Sequence, residues 1–323
     1  MSFTLDRRRV LHLLGGSLAL PLMSGQAAFA APTVTVVSGR LGWPHCMPFI
    51  ATEMKLWEKY GLSVDHRDLG NGSAAAEAMA SGSASFGYIN VPNAVTLLQV
   101  GLPIKILAAT TIGGTSVYTF SEAIKSVADL KGKKVAIPRG VTTHALQFEM
   151  YVLPQAGLSK ADVEIVPLAP TDNLTAMRRG DVDAAVSFDP YVSQAVALGA
   201  KVIVPPNKMW DGPAYSAVVA ARADFVAKEP ETVRKLVQVH CEVIKFINED
   251  PKKAAEIVNK LLRGTEKDLA LQLDSMRSLT FTAKIEPAAV ARFADAMVKF
   301  GLIKSAPDLG PVVDTSFLPK DVM

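Results

Sequence analysis

The stretch VAIPRGVTTHALQF, residues 135–148, is the part of the sequence that decides the predicted fold. Residues 135–138 form a short apolar run, typical of the end of a buried strand. Arg139-Gly140-Val141 then predicts a tight turn, and Thr142 or Thr143 can cap the helix that follows. A strand that turns sharply into a helix directs several backbone N–H groups at one place, where the helix dipole favours an anion. We therefore expect Thr142 and Thr143 to hold an anionic group, with simple capping by Thr142 as the alternative.

Residues 1–30 have the pattern of an export signal. Three arginines, Arg7 to Arg9, precede an apolar segment at 13–23, and a small-x-small sequence ends at Ala30. The arginine pair followed by x-Val-Leu resembles the twin-arginine type of signal. The apolar segment is shorter than the ~20 residues of a membrane span. We expect cleavage near Ala30 and a periplasmic mature protein, with an N-terminal helix retained in that protein as the alternative.

Composition and charge exclude several classes of protein. The 323 residues carry a net charge of +3, and residues 1–30 contribute three arginines and one aspartate, so the rest is close to +1. A nearly neutral surface gives no reason to expect nucleic acid or acidic membranes as partners. Two cysteines, Cys46 and Cys241, are too few for a disulfide scaffold, and the histidines lack the spacing of metal ligands. We expect no metal, no cofactor and no nucleic-acid partner.

Predicted strands and helices alternate along the mature chain. Strands are predicted at residues 33–37, 63–68 and 86–89, and a helix at 49–60 separates the first two. An alanine-rich helix separates the second strand from the third. Alternation at this spacing predicts parallel βαβ units, and so an α/β fold.

A pattern in the first part of the mature chain returns 98 residues later. The first copy of the pattern consists of Ala78-Met79, Gly82, Pro92 and Gly101. The second copy has the same residues in the same order, at Ala176-Met177, Gly180, Pro190 and Gly199. In each copy a helix ends at glycine, a strand follows, and a loop bearing Asn90 or Asp189 leads into another helix. We expect two similar α/β lobes, with a ligand beyond the carboxyl ends of the strands.

The lobe boundaries follow from the glycines and the later helices. We expect lobe 1 to comprise residues 31–116 and 214–323, and lobe 2 residues 117–213, with Gly113-Gly114 at the first crossing. A strand at 215–220 returns the chain to lobe 1. Helices predicted at 230–248, 250–262, 266–276 and 287–300 then pack on that lobe. In the first of them Cys241 lies on the apolar face, so we expect it in the core, as we do Trp57.

Several ordered motifs together resemble one family, the periplasmic substrate-binding proteins of the taurine, aliphatic sulfonate and nitrate class of ABC importers. They are LWEKYGL, ASGSASFGYIN, GLPIKIL, DLKGKKVAIPRGVTTH, RRGDVDAAVSFDPYV, VAARADFVAKEPE and INEDPKKAA. The resemblance implies a two-lobed periplasmic-binding-protein fold of type II, with a ligand cleft between lobes joined by two crossing strands. It also implies a small anionic solute as ligand, an ABC transporter permease in the inner membrane as partner, and a monomer.

Two parts of the sequence depart from the taurine-binding pattern. Thr142-Thr143-His144 resembles the TTH segment of the taurine binders, but Phe188 stands before Asp189-Pro190 where many members have tryptophan. The loop Trp43-Pro44-His45-Cys46 also differs. The ligand therefore stays open between a sulfonate, nitrate, a carboxylate and an aromatic acid.

The candidate ligand-binding residues come from loops and strand ends that are predicted to face the cleft. Ser73 would donate from lobe 1, with a plain N-cap as the alternative, while Asp189 would take a ligand amine or hold a neighbouring loop. Trp43 and Tyr215 would supply apolar walls, with simple packing as the alternative for Trp43. The complete set is Trp43, His45, Ser73, Asn90, Thr111, Thr142, Thr143, Asp189 and Tyr215.

The rival hypothesis is a cysteine-dependent enzyme. Some desulfinases share the two-lobed architecture and use a cysteine of the first loop as nucleophile, and Cys46 occupies a comparable place. A thiolate can be stabilised there by a neighbouring cation or a helix start. His45 and His144 are only candidate bases. We expect a binding protein with no catalytic residue.

Overall fold

The computed structural model describes residues 33–39, 42–140, 142–320 and 322. The export signal predicted for residues 1–30, with its arginine pair and its cleavage site near Ala30, lies outside this range. Within the described range, no helix combines the length and the apolar character that crossing a membrane requires.

Within the described residues, eleven strands build two mixed sheets. In chain order they are β1 (Val34–Ser38), β2 (Val64–Asp68), β3 (Phe86–Ile89), β4 (Ile104–Gly113), β5 (Thr115–Thr119), β6 (Lys134–Ile137), β7 (Glu164–Pro167), β8 (Ala184–Phe188), β9 (Lys201–Val204), β10 (Tyr215–Arg222) and β11 (Leu279–Phe281). The first sheet has the order β11-β4-β10-β3-β1-β2 and the second the order β7-β6-β8-β5-β9.

The helices cover the faces of both sheets. They are α1 (Met47–Glu53), α2 (Leu56–Lys59), α3 (Gly72–Ala80), α4 (Val91–Gln99), α5 (Thr143–Gln147), α6 (Leu153–Gln155), α7 (Asn173–Arg179), α8 (Tyr191–Ala197), α9 (Ala223–Lys228), α10 (Pro230–Glu249), α11 (Pro251–Leu261), α12 (Glu266–Met276) and α13 (Pro287–Lys299). A π-helical segment, Phe148–Val152, joins α5 to α6.

The two sheets share one topology. In the first, β1 pairs in parallel with β2 and β3, and β10 runs antiparallel between β3 and β4. In the second, β6 pairs in parallel with β7 and β8, and β5 runs antiparallel between β8 and β9. The sequence repeat maps β3 onto β8 and α4 onto α8. The α/β fold with two lobes, as the repeat predicted, is therefore confirmed.

The prediction of one continuous helix at residues 49–60 is wrong. The structure has two helices there, α1 and α2. Lys55 has a φ of 54° and lies in the left-handed region, which ends a right-handed helix. The break turns Leu56 and Trp57 into the core, where both are buried. Trp57 is a core residue, as expected.

Helix α10 packs on the first sheet through the apolar face that the sequence indicated. Its residues Val233, Leu236, Val237, Cys241, Ile244 and Ile247 are all buried in one cluster. The expectation that Cys241 is a core residue is confirmed.

The helical run from α5 through the π-helical segment contributes side chains to two different cores. Leu146 and Met150 pack in a cluster on the first sheet that also contains Phe293. Phe148 and Val152 pack in the core of the second sheet. This run therefore connects the lobes directly, just behind the helix start that the sequence singled out.

Candidate functional site

Loops at the carboxyl ends of β1, β2 and β3 meet around Gly72, the first residue of α3. A Cβ atom at Gly72 would lie 1.9 Å from Asn90 Oδ1, so only glycine lets the Asn90 amide approach this closely. A Cβ atom at Gly39, just after β1, would lie 3.0 Å from His45 Nε2 and 3.1 Å from the Gly72 nitrogen. Because the two glycines have no side chain, the loops pack closely, and His45 and Asn90 lie at the same end of the first sheet.

Asn71, rather than Ser73, caps α3. The Asn71 side chain accepts a hydrogen bond from the Ala74 N–H at 2.9 Å. The Ser73 hydroxyl accepts a hydrogen bond from Asn93 Nδ2 at 3.2 Å and lies in the first turn. The N-cap alternative for Ser73 is therefore wrong, since the extended backbone at Asn71 puts the cap one position before the helix. Its role as a ligand donor stays a prediction.

His45 is a buried, uncharged imidazole at neutral pH. Burial lowers its pKa to about 4, and the opposing influence of Asp68 and the Tyr88 backbone does not offset this. Its Nδ1 atom is buried and makes no hydrogen bond of good geometry, and the Tyr88 backbone gives the ring only a weak contact. A buried polar atom without a partner is uncommon in native proteins, and a ligand is one way to satisfy it.

The second lobe contributes the start of α5. Thr142 accepts a hydrogen bond from the Ala145 N–H at 3.1 Å, so its predicted role as N-cap is confirmed. Thr143 is 1% exposed, and its hydroxyl points at the Ser216 carbonyl oxygen at 3.5 Å. Arg139 on the preceding turn is exposed.

His144 is held in one orientation by two contacts. Its Nδ1 atom lies 2.8 Å from the Thr115 hydroxyl, and its ring stacks on Phe188 with centroids 4.6 Å apart. Burial lowers the pKa of His144 to about 3, and the nearby His45 contributes in the same direction. The two histidines, one from each lobe, are therefore close enough to influence each other.

The lobes meet at the first residues of β10. Asn90 Nδ2 donates to the Ser216 carbonyl oxygen at 2.9 Å, and the Thr143 hydroxyl approaches the same oxygen. The Ser216 hydroxyl in turn donates to the Gly113 carbonyl at 2.8 Å, which ties β10 to the first crossing. Predicted residues of both lobes are thus brought together around one carbonyl group.

Asp189 is buried, and each of its carboxylate oxygens already has partners. Oδ1 accepts from the Ser193 N–H at 3.0 Å and from the Ser193 hydroxyl at 2.7 Å. Oδ2 accepts from the hydroxyl of Ser278, which lies between α12 and β11. Burial raises the pKa of Asp189, although these hydrogen bonds oppose the shift. These contacts tie Asp189 to two neighbouring segments. They agree with the alternative that Asp189 holds a neighbouring loop, and not with binding of a ligand amine.

Three other candidates lie in the framework of the first lobe. Trp43 is fully buried, donates from Nε1 to the Ser275 hydroxyl at 2.7 Å and packs edge-on against Phe281. The Tyr215 hydroxyl accepts a hydrogen bond from the Glu286 N–H at 3.0 Å. Thr111 is fully buried near the end of β4, and its hydroxyl has no partner.

Two residues of this region were absent from the sequence-based candidate set. His144 was named only as part of the TTH segment and as a possible base, and Ser216 carried no signal. The available clue was that His144 directly follows the two threonines at the helix start. Its partners Thr115 and Phe188 are distant in the sequence, so nothing local indicated how its ring is fixed.

Cys46 follows His45 but does not have the surroundings of a nucleophile. The thiol is fully buried, and burial raises its pKa above the ordinary value. Reactive cysteines instead have a lowered pKa and are partly exposed.

Two cavities lie away from these candidate residues. One of about 300 Å³ is lined by Thr33–Thr35, Gly82–Ser85, Phe225, Glu229 and Thr232, at the amino ends of β1 and β3. Another of about 310 Å³ lies between α13 and residues 306–310. Neither contains a predicted ligand-binding residue.

Comparison with known proteins places the chain in a family. The model of the NMT1-like family matches residues 30–262. A protein of Brucella abortus (strain 2308), whose name gives it as a binding protein without a ligand, is 30% identical over 311 residues, 91% of this chain and 94% of its own.

Two further likenesses carry more specific names. The taurine-binding periplasmic protein of Escherichia coli (strain K12) is 30% identical over 177 residues, 54% of each chain. The crystal structure of the periplasmic aliphatic sulphonate binding protein SsuA from Escherichia coli matches with a TM-score of 0.74 at 20% identity, covering 87% of this chain and 92% of that one. The chain therefore belongs to the NMT1-like family, has the periplasmic-binding-protein fold, and is related to the taurine- and sulfonate-binding proteins of ABC importers.

Proposed function

We propose that this protein captures a small anionic solute, of the sulfonate, taurine or nitrate kind, between its lobes and delivers it to an ABC importer. The observation that carries the proposal is the convergence of Asn90 from the first lobe and Thr143 from the second on Ser216, beside His45 and His144. Membership of the NMT1-like family and the names of the relatives support it.

The chemistry of the convergence suits a singly charged anion. The hydroxyls and amides around it are neutral donors, and both imidazoles are uncharged at neutral pH. Such groups hydrogen-bond an oxyanion in a water-poor setting, where charge-assisted bonds are worth about 1.5–3 kcal/mol each. Because the donors come from both lobes, a ligand that bridges them favours the arrangement in which the lobes are together.

The proposed location is the periplasm, with residues 1–30 removed near Ala30. The arginine pair before the apolar segment supports export of the twin-arginine kind, and the relatives named as periplasmic are consistent with it. The proposed partner is the permease of the importer in the inner membrane, and the proposed solution state is a monomer.

The enzyme alternative receives less support. A desulfinase-like reaction needs an accessible thiolate at Cys46, whereas burial keeps this thiol protonated. The fold and the family are compatible with a binder that performs no chemistry.

The experiment that tests the proposal is a thermal-shift screen of the mature protein against ethanesulfonate, taurine, nitrate, propionate and benzoate. A ligand at a hundred times its dissociation constant stabilises the native state by about 2.7 kcal/mol, and calorimetric titration then gives its affinity. Chloride at the same ionic strength is the control. If no anion raises the melting temperature above the chloride control, the proposed function is wrong.

A further inference from the structure

We propose that the site accepts an oxyanion without an ammonium group, so that simple alkyl sulfonates or carboxylates bind in preference to amino-sulfonates such as taurine. The inference rests on the proposed function and specifies its substrate class. It depends on what remains available in the cleft to neutralise a ligand's positive charge.

Carboxylates are the first group that would recognise an ammonium. Among the residues the structure describes, Asp189 is the buried carboxylate, and both of its oxygens are occupied by Ser193 and Ser278. Asp68 lies near enough to His45 to influence it, but it is exposed and its Oδ1 accepts the Gly70 N–H at 2.8 Å. A buried ammonium would therefore have no desolvated counter-charge, which is strongly unfavourable.

Aromatic faces are the second group that binds ammonium ions, through cation–π contacts. One face of Phe188 is covered by the His144 ring, and the Tyr191 ring meets Phe188 at 88°. Trp43 packs against Phe281 in the core of the first lobe, and Tyr215 belongs to the cluster on the other face of that sheet. These aromatic rings serve packing.

Carbonyl oxygens are the third group. The Ser216 carbonyl already receives Asn90 Nδ2 and faces the Thr143 hydroxyl. Two donors, Asn90 Nδ2 and the Thr143 hydroxyl, converge here, and donors of this kind favour a negative charge. If the Thr115 hydroxyl donates to His144 Nδ1, the imidazole proton is on Nε2, and the ring can then donate to an oxyanion.

Two matched ligand pairs test this inference: ethanesulfonate against taurine, and propionate against β-alanine. The members of each pair differ by one amino group. Calorimetric titration at pH 7.5 should show the amine-free member binding at least roughly tenfold more tightly, because the ammonium loses its hydration without gaining a partner charge. Equal or tighter binding of the amino member in either pair would overturn the inference and leave the proposed function standing.

The variant Asp68→Asn provides a second readout. If the site has no ammonium partner, the ratio of taurine to ethanesulfonate affinity is the same in this variant as in the wild type. A fall in taurine affinity alone would identify Asp68 as that partner and overturn the inference. A protein that binds none of these four ligands, and no nitrate or benzoate, would refute the proposed function and this inference with it.

Discussion

Asn90 and Thr143, from different lobes, direct their side chains at the same acceptor, the Ser216 carbonyl oxygen, at 2.9 Å and 3.5 Å. The first distance is an ordinary hydrogen bond and the second is at the weak limit. The Thr143 hydroxyl is therefore only loosely engaged and can turn to a stronger acceptor. An oxyanion between the lobes would be such an acceptor.

Thr143→Ala should weaken binding of the best anion by roughly tenfold to a hundredfold, the equivalent of one charge-assisted hydrogen bond of about 1.5–3 kcal/mol. The backbone N–H groups remain, so binding should not vanish. The matched control is Thr143→Ser, which keeps the hydroxyl and should retain most of the affinity. Calorimetric titration of both variants measures the difference. Unchanged affinity in Thr143→Ala would remove this hydroxyl from the site.

Thr142→Ala should act on stability, because the Thr142 hydroxyl caps α5 through the Ala145 N–H. Loss of an N-cap costs about 1 kcal/mol, which lowers the melting temperature of a protein of this size by roughly 1–2 °C. Thr142→Ser preserves the cap and serves as the control. Thermal unfolding without ligand is the measurement. If Thr142→Ala kept its full stability but lost affinity for the ligand, capping would not be the main role of Thr142.

Four histidines with a lowered pKa, three of them buried and His66 half-buried, predict a loss of stability in mild acid. The pKa of His144 is lowered to about 3, and those of His45, His66 and His240 to about 4, in each case chiefly by burial. In the unfolded chain a histidine titrates near 6.5, so between pH 6.5 and about 4 the unfolded state binds protons that the native state does not. The free energy of unfolding should therefore fall as the pH falls through that window, by up to about 1.4 kcal/mol per pH unit for each such histidine.

His240→Gln isolates one of these contributions. The His240 Nε2 atom lies 2.8 Å from the Ala109 carbonyl, and a glutamine amide can donate there without titrating. The variant should show a smaller drop in stability than the wild type between pH 7 and pH 5, measured by urea unfolding. Identical pH dependence of the two proteins would show that His240 titrates normally in the native state.

Cys46→Ala separates the binding protein from the enzyme. Because the thiol is buried in the core of the first lobe, ligand affinity should stay within a few-fold of the wild type. Calorimetric titration and an assay for consumption of an aromatic sulfinate are the two measurements. Turnover by the wild type that disappears in Cys46→Ala would establish the enzyme.

Export is tested by replacing Arg7 and Arg8 together with lysine. If residues 1–30 form a twin-arginine signal, the precursor should accumulate in the cytoplasm, since lysine keeps the charge but not the arginine pair. Cell fractionation and immunoblotting report its location, and a Lys substitution at Arg9 alone is the matched control. Normal export of the double variant would exclude the twin-arginine assignment.

The sequence predicted the framework well because strands and helix ends are local signals. One apolar run gave β3 at its observed bounds, and the bounds of α10 to α13 lie within one residue of the predicted ranges. The break at Lys55 escaped prediction because a left-handed lysine has no sequence signature. Local pattern also placed Thr142 at the helix start.

Side-chain direction could not be read from the sequence. The Trp43 ring is held in the core by a hydrogen bond from its Nε1 to Ser275. One oxygen of the Asp189 carboxylate is occupied by the hydrogen bond that it accepts from Ser278. Each partner is contributed by a distant part of the chain. The same limit applies to His144, whose orientation is fixed by Thr115 and Phe188.

The helical run that begins at Thr143 has Met150 in the core of one lobe and Phe148 in the core of the other. The packing of Met150 on the first sheet therefore stabilises the arrangement in which the lobes are together, and a conformer with the lobes apart would lose that contact. Since measured affinity is the intrinsic affinity multiplied by the fraction of molecules already competent to bind, core substitutions here alter affinity without touching the solute. A substitution at Met150 would then change the affinity of the proposed site through packing alone, with the proposed donors Asn90 and Thr143 unchanged.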